Sequence, residues 1–220
     1  MRPWKYTEIL VWKNVLKSEF FATWSKLHGG AEITGIVKIW LRISFALVKP
    51  MARIHITPAM LTSAGLLCAI ALSIFPYHWS AALFLTLSLF FDGIDGSLAV
   101  VLQRTSKFGA FLDSFADRIS EVFWALALYR LGAPVQFILI ASIFAFTQEY
   151  LRARSAGLGH GELGIITIGE RPIRASFIFI AIIANILQLN WITIITVIWA
   201  LFQSIALFQL TFNSYRRFKD

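Results

Sequence analysis

Three long stretches of this chain carry no Asp, Glu, Lys or Arg: Ile54 to Phe91, Leu131 to Gln148 and Ala175 to Tyr215. A helix crossing the hydrocarbon core of a bilayer needs about 20 apolar residues. The first and third runs are therefore long enough for two spans each, divided by a turn. Composition agrees, since 58% of the residues are hydrophobic against roughly 45–50% in soluble domains. The reading is an all-α integral membrane protein with six transmembrane helices, preceded by an amphipathic interfacial helix. A single cysteine, Cys68, excludes an internal disulfide. The net charge of +8 suits contact with an anionic lipid surface. The aromatic residues are spread along the chain rather than interleaved with the basic ones, which argues against nucleic-acid binding.

The expected organisation has three parts. Residues 1–32 form a basic amphipathic extension, in which Ile9, Trp12, Leu16 and Phe20 recur at helical spacing until Gly29-Gly30 breaks the pattern. This extension lacks the apolar core and cleavage site of a signal peptide. Residues 33–56 form the interfacial helix, with Ile36, Ile39, Trp40, Ile43 and Leu47 as its apolar stripe, Lys38, Arg42, Lys49 and Arg53 beside it, and an interruption at Pro50. Residues 57–220 form the six-helix membrane domain, with spans near 58–76, 79–102, 108–130, 134–154, 172–188 and 191–214. Thr57-Pro58 starts the first of these, because proline suits the first helical position.

Basic residues fix an orientation. Nine Lys/Arg precede the first span, and others cluster at 104–107, 152–174 and the C-terminus, whereas the opposite turns hold only Arg130. Positive charge stays on the cytoplasmic side. The expectation is a multi-pass protein of the cell membrane with both termini cytoplasmic.

Against this apolar background the aspartates are concentrated. The chain has five, and four of them, Asp92, Asp95, Asp113 and Asp117, fall within 26 residues. Residues three or four apart share a helix face. Asp92, Asp95, Gly96 and Ala99 thus line one side of the second span, and Gly109, Asp113 and Asp117 one side of the third. The short turn between these spans makes them antiparallel neighbours, so the two acidic faces can meet near the cytoplasmic side. An ionised Asp in a membrane helix costs about 2.5–3.5 kcal/mol, and four require neutralising cations. Carboxylate oxygens select hard divalent ions such as Mg2+ or Mn2+. Four carboxylates suit two ions, an arrangement that recurs in phosphoryl transfer. Gly96 and Ala99 leave room for a ligand. The plain alternative is a set of salt-bridged carboxylates at a helix end, involving Arg104, Lys107, Arg118 and Glu121. A cation transporter is a further rival.

The pattern Asp92-x2-Asp95-Gly96-x2-Ala99, followed by Gly109-x3-Asp113-x3-Asp117, resembles the signature of the CDP-alcohol phosphotransferase family. The family has Arg after the Ala, where this chain has Val100. The resemblance covers about residues 55–215. It implies transfer of a phosphoalcohol group from a CDP-lipid, such as CDP-diacylglycerol, to an acceptor hydroxyl with release of CMP, in phospholipid synthesis. It implies that Asp92, Asp95, Asp113 and Asp117 hold two divalent ions against the donor diphosphate, and that Asp117 also acts as the base. Gly96, Ala99 and Gly109 would face the nucleotide, with Arg104 standing in for the missing arginine. A homodimer is implied as well.

Two further stretches, Tyr150-Leu-Arg152-Ala-Arg154 and Gly169-Glu-Arg171-Pro-Ile-Arg174, resemble segments of family members that make phosphatidylinositol phosphate or its archaeal ether-lipid equivalent. By that resemblance Arg152, Arg154, Arg171 and Arg174 bind a phosphorylated acceptor, with Glu170 orienting one of them. Inositol phosphate is the first expectation for the acceptor. Glycerol 3-phosphate, the substrate of a phosphatidylglycerol phosphate synthase, is the second. A non-enzymatic family member remains an alternative, as does the placement of these arginines by topology alone. His160 and Glu162 are expected to be solvated, and His55 and His78 interfacial.

Overall fold

The computed structural model describes residues 16–27, 30, 32–159 and 166–219. Ile9, Trp12, Gly29, His160 and Glu162 lie outside these residues. Among the described residues there are eight helices and no strand: α1 (Lys17–Leu27), α2 (Gly35–Arg53), α3 (Pro58–Ile74), α4 (Ser80–Val101), α5 (Lys107–Arg130), α6 (Val135–Gly157), α7 (Arg171–Ile186) and α8 (Ile192–Lys219). Helices α3 to α8 match the six expected segments to within about three residues at most ends.

Local chemistry sets several ends. Thr57 Oγ1 accepts the Met60 N–H at 3.3 Å, so Thr57 caps α3 with Pro58 in its first turn. Ser106 Oγ does the same for α5, accepting the Gly109 N–H at 2.9 Å. A Cβ at Gly109 would come to 3.1 Å from that oxygen. Helix α4 ends in a Schellman turn, in which the Arg104 N–H reaches the Ala99 carbonyl while Gln103 adopts φ 50°. Arg130, the only cation expected on the side opposite the cytoplasm, donates to the carbonyls of Ser73 and Ile74 at the end of α3. Its own carbonyl accepts from the Tyr77 hydroxyl.

Pro50 does not interrupt α2, contrary to the sequence expectation: the helix runs through it to Arg53. Proline removes one hydrogen bond, here within the last turn, where the loss is small beside the burial of Val48 and Ala52 around it.

The chain divides into two compact units. Of the described residues, the first comprises those up to 67 and 87–117, the second 68–86 and those from 118 on, and α3, α4 and α5 contribute a segment to each. The core of the first unit joins Phe20 of α1, Leu41, Val48 and Ala52 of α2, Leu61 of α3, and Ile94, Leu98, Val100 and Val101 of α4. Phe20 is fully buried and meets the Phe45 ring at 5.1 Å. In α2 the expected apolar stripe is the outward one. Ile36, Ile39, Trp40 and Ile43 are exposed, and Leu41, Ser44, Val48 and Ala52 face the protein. In the second unit α6 and α7 pack against α8. Buried alanines at 141, 145, 175, 181, 200 and 206 let the backbones approach, as is usual for helices in lipid.

The outward surface is apolar. Ile194, Ile198, Leu201, Ile205, Phe208 and Phe212 of α8 are all exposed, as are Leu139, Ile143 and Phe146 of α6. A soluble monomer rarely tolerates such a surface; a bilayer covers it. Two described helices, α4 and α8, are long and apolar enough to cross a membrane. Helices α2 and α3, bent by 110° where they meet, pass the same criterion together. Helices α3 and α7, with 17 and 16 residues, fall short of the roughly 20 that a straight span needs. Helix α5 carries Asp113, Asp117, Arg118 and Glu121 within its length, and α6 carries Glu149, Arg152 and Arg154.

Candidate active site

The acidic face forms in the first unit. Asp92 on α4 and Asp113 and Asp117 on α5, all half-buried, each offer a carboxylate oxygen, and the three oxygens lie within 4.8 Å of one another. Helical spacing puts Asp113 and Asp117 on one side of α5. The approach of α3 to α4 beside Asp92 depends on Gly65, where a Cβ would come to 3.1 Å from the Ser88 carbonyl oxygen. Gly93 lies under the Trp40 indole, with a hypothetical Cβ only 2.9 Å from the ring. The Ser97 hydroxyl donates to Ser44 at 3.1 Å and ties α4 to α2.

Asp95 is not one of the three. It is 5% exposed, and its Oδ2 accepts a short hydrogen bond from the Thr62 hydroxyl of α3. Thr62 had no signal in the sequence beyond being a polar residue in an apolar run. Gly96 is exposed, and a Cβ there would meet nothing within 4 Å. One turn on, Ala99 is half-buried. Val100, where the family pattern has Arg, is 5% exposed within the apolar core that includes Phe20 and Leu61. Arg104 follows the Schellman turn and is half-buried.

The Asp trio fits a hard divalent cation. All the offered atoms are carboxylate oxygens, the donors that such a cation prefers.

The second unit holds a different charge cluster. Arg174 is 1% exposed. Its Nη2 lies 2.8 Å from Glu121 Oε1 and 3.1 Å from Glu149 Oε1, and its Nη1 donates to the Gly169 carbonyl at 2.7 Å. Arg118 pairs with Glu121 at 3.2 Å. Arg171 is half-buried, with Nε 3.7 Å from Glu121 and its guanidinium over the Trp124 ring at 5.3 Å. Arg152 makes a two-pronged contact with Glu170, its Nη1 reaching Oε2 at 2.7 Å and its Nη2 reaching Oε1. Arg154 is exposed near the end of α6. Of the four arginines singled out by sequence, Arg152, Arg171 and Arg174 thus enter this Arg–Glu lattice. Arg174 sits at its buried centre with its donors committed to protein. Glu121, expected only in a salt-bridged set with Arg118, and Glu149 were missed as partners of Arg174. Their separation in sequence from Arg174 conceals the pairing. Burial by itself would raise the Glu170 carboxyl, but the Arg152 fork and the Thr167 N–H and hydroxyl outweigh it and hold the group below its ordinary value.

A family model for CDP-alcohol phosphatidyltransferase matches residues 55–206. The phosphatidylinositol phosphate synthase of Cutibacterium acnes is 32% identical over 145 residues, which cover 60% of this chain and 70% of that protein. The archaetidylinositol phosphate synthase of Pyrococcus horikoshii is 35% identical over 161 residues, covering 67% of this chain and 84% of the relative. The fold is similar to that of Mycobacterium tuberculosis phosphatidylinositol phosphate synthase, solved in complex with manganese and citrate. The TM-score is 0.66 at 21% identity, over 78% of this chain and 88% of that one. With the aspartate signature spanning Asp92 to Asp117 and the matched region running through α3 to α8, the chain belongs to the CDP-alcohol phosphatidyltransferase family.

Proposed function

We propose that the protein transfers a phosphatidyl-type group from a CDP-lipid to a hydroxyl of a phosphorylated alcohol, with inositol phosphate as the acceptor, and releases CMP. The observation that carries the reaction is the meeting of Asp92, Asp113 and Asp117 within 4.8 Å. The choice of acceptor is supported by the relatives, which are named phosphatidylinositol phosphate synthase and archaetidylinositol phosphate synthase. In the transfer, the acceptor oxygen forms a bond to the lipid-bearing phosphorus. The phosphoanhydride bond to CMP breaks, and Asp117 takes the hydroxyl proton. Asp92, Asp113 and Asp117, with Asp95 behind them, would hold divalent cations, Mg2+ or Mn2+ and two in number. When bound, these supply charge neutralisation for the donor diphosphate. Gly96 is open enough for the nucleotide to approach backbone, with Ala99, Gly109 and Arg104 completing that side. Arg152 is the leading contact for the acceptor phosphate, with Arg171 and Arg154 beside it. A guanidinium oriented by Glu170 presents the planar fork that suits a phosphate. Arg174 acts from within the lattice, as the group that holds Glu121 and Glu149.

The same reading gives the topology. Helices α3 to α8 are six spans of a membrane domain over residues 57–220, and α2, within residues 33–56, lies in the interface with its exposed apolar stripe toward lipid. Residues 1–32 add a basic extension. Both termini are cytoplasmic, the enzyme resides in the cell membrane, and it works as a homodimer. CMP release by purified protein tests the central part. CDP-diacylglycerol would be supplied with Mn2+ or Mg2+ and, in turn, inositol phosphate, glycerol 3-phosphate, serine and free inositol. Release with inositol phosphate alone, abolished by chelator, is the expected result. Release with glycerol 3-phosphate instead would replace the acceptor and keep the reaction. No release with any acceptor would remove the reading.

A further inference from the structure

Gln148 on α6 and Gln203 on α8 are both 0% exposed, deep within the second unit. Burying an amide among apolar helices costs free energy unless it is hydrogen-bonded. Here the bonds form a chain. Gln203 Nε2 donates to Gln148 Oε1 at 2.8 Å, Gln148 Nε2 to Thr167 Oγ1 at 3.0 Å, and Thr167 Oγ1 to Glu170 Oε1 at 2.9 Å. Glu170 also accepts the Thr167 N–H at 2.8 Å and the two-pronged Arg152 contact. The direction is forced from one end. An ionised carboxylate only accepts, so the Thr167 hydroxyl must donate to Glu170 and is left to accept from Gln148. Gln148 then offers its oxygen to Gln203. The cost appears at the far end, where Gln203 Oε1 is buried without a partner among the described residues.

The turn that carries Thr167 and Glu170 is held on α8 by the same face. Ile168 N–H donates to Gln209 Oε1 at 3.3 Å, and Gly169 lies so close that a Cβ would come to 2.5 Å from Ala206 Cβ and 2.9 Å from Gln203 Oε1. The turn is therefore fixed by packing as well as by the relay. A pair of amides whose only role was cohesion would be replaced by apolar side chains at little cost. This pair instead ends on the carboxylate that sets Arg152.

We infer that Gln203, Gln148 and Thr167 are positioning residues for acceptor binding: a buried relay from α8 through α6 that fixes the Glu170 carboxylate and, through it, the Arg152 guanidinium. The inference rests on the reading of Arg152 as the acceptor-phosphate contact. It predicts a signature that a purely structural role would not give. Replacing both amides by methionine keeps volume and removes the unpartnered oxygen, so thermal stability in detergent holds, while the KM for inositol phosphate rises about tenfold. The KM for CDP-diacylglycerol and kcat stay within about twofold, the pattern of lost uniform binding. Thr167→Val is the second variant, needed if the double replacement does not fold; it raises the same KM, and Thr167→Ser restores it. In the Arg152→Ala background neither change has a further effect on the acceptor KM, because both act through one group.

The following outcomes decide it, all on the whole chain. A folded double methionine variant with an unchanged acceptor KM overturns the inference, and so does Thr167→Val if it folds with an unchanged KM. Parallel losses in both KM values and in stability also overturn it, since they mark a structural role. If Arg152→Ala raises the acceptor KM while the relay variants do not, the inference fails and the acceptor reading stands. If Arg152→Ala leaves that KM unchanged, both fail.

Discussion

Asp92, Asp113 and Asp117 in the first unit and Glu121, Glu149 and Glu170 in the second are both trios of acidic side chains set among apolar helices, and they are built on opposite terms. The aspartates face one another within 4.8 Å. The glutamates face arginines: Glu121 and Glu149 share Arg174, and Glu170 holds Arg152. A cluster of like charge is completed from outside, by a cation. A lattice of opposite charges is completed from within. It cannot lose one member cheaply, because the partner left behind stays buried. The first arrangement makes a site for cations; the second makes a rigid mount for its arginines.

The largest effect should come from the first trio. Asp113→Asn keeps volume and removes a charged oxygen, so CMP release should fall by about 10³-fold or more, with the thermal midpoint little changed. Wild-type turnover in this variant would break the comparison at its first half. Arg174→Met tests the second half. It removes the buried guanidinium that Glu121 and Glu149 share, leaves them the more exposed Arg118, Arg152 and Arg171, and should cost about 3 kcal/mol of stability, read as thermal unfolding in detergent; a stable variant would mean that the lattice is dispensable. Placing a cation in the first unit sharpens the contrast. Val100→Arg restores the residue of the family pattern, but in this chain it would push a guanidinium into the core shared by Phe20 and Leu61. It should cost about 2–4 kcal/mol, and unchanged unfolding would show that the core at this point yields.

The smallest effect is a slope. The Glu170 carboxyl is held below its ordinary 4.5. Its contribution to stability is complete above that pH and is lost as the pH falls through the lowered value. Thermal midpoints of the wild type should therefore drop more steeply below pH 4.5 than those of Glu170→Gln, and equal slopes would detach Glu170 from the lattice.

Much of this was legible in the residues. Charge-free runs and turn signals placed α3 to α8 because long apolar helices carry the strongest periodic signal. Three- and four-residue spacing and a short turn grouped Asp92, Asp95, Asp113 and Asp117 in the sequence; the structure brings Asp92, Asp113 and Asp117 within 4.8 Å and sets Asp95 against Thr62. The details that escaped depend on packing between distant segments. Thr62 reaches Asp95 across 33 residues and Gln203 reaches Gln148 across 55, and no local pattern encodes either pair. Arg174 read as a ligand of the acceptor phosphate, yet α7 turns it inward onto Glu121. Val100 was visible as a departure from the family pattern, but that Phe20 from the N-terminal helix shares its core was not. Pro50 was read as a break because the local rule is strong, and the buried face of α2 overrode it.

The most direct measurement is Mn2+ binding to the purified protein in detergent, followed by the loss of the free-ion electron paramagnetic resonance signal, for the wild type, Asp113→Asn and Arg152→Ala together. Saturable binding in the wild type and in Arg152→Ala, lost in Asp113→Asn, is the predicted result. Undiminished binding in a folded Asp113→Asn variant would contradict the claim that the aspartate trio is the cation site.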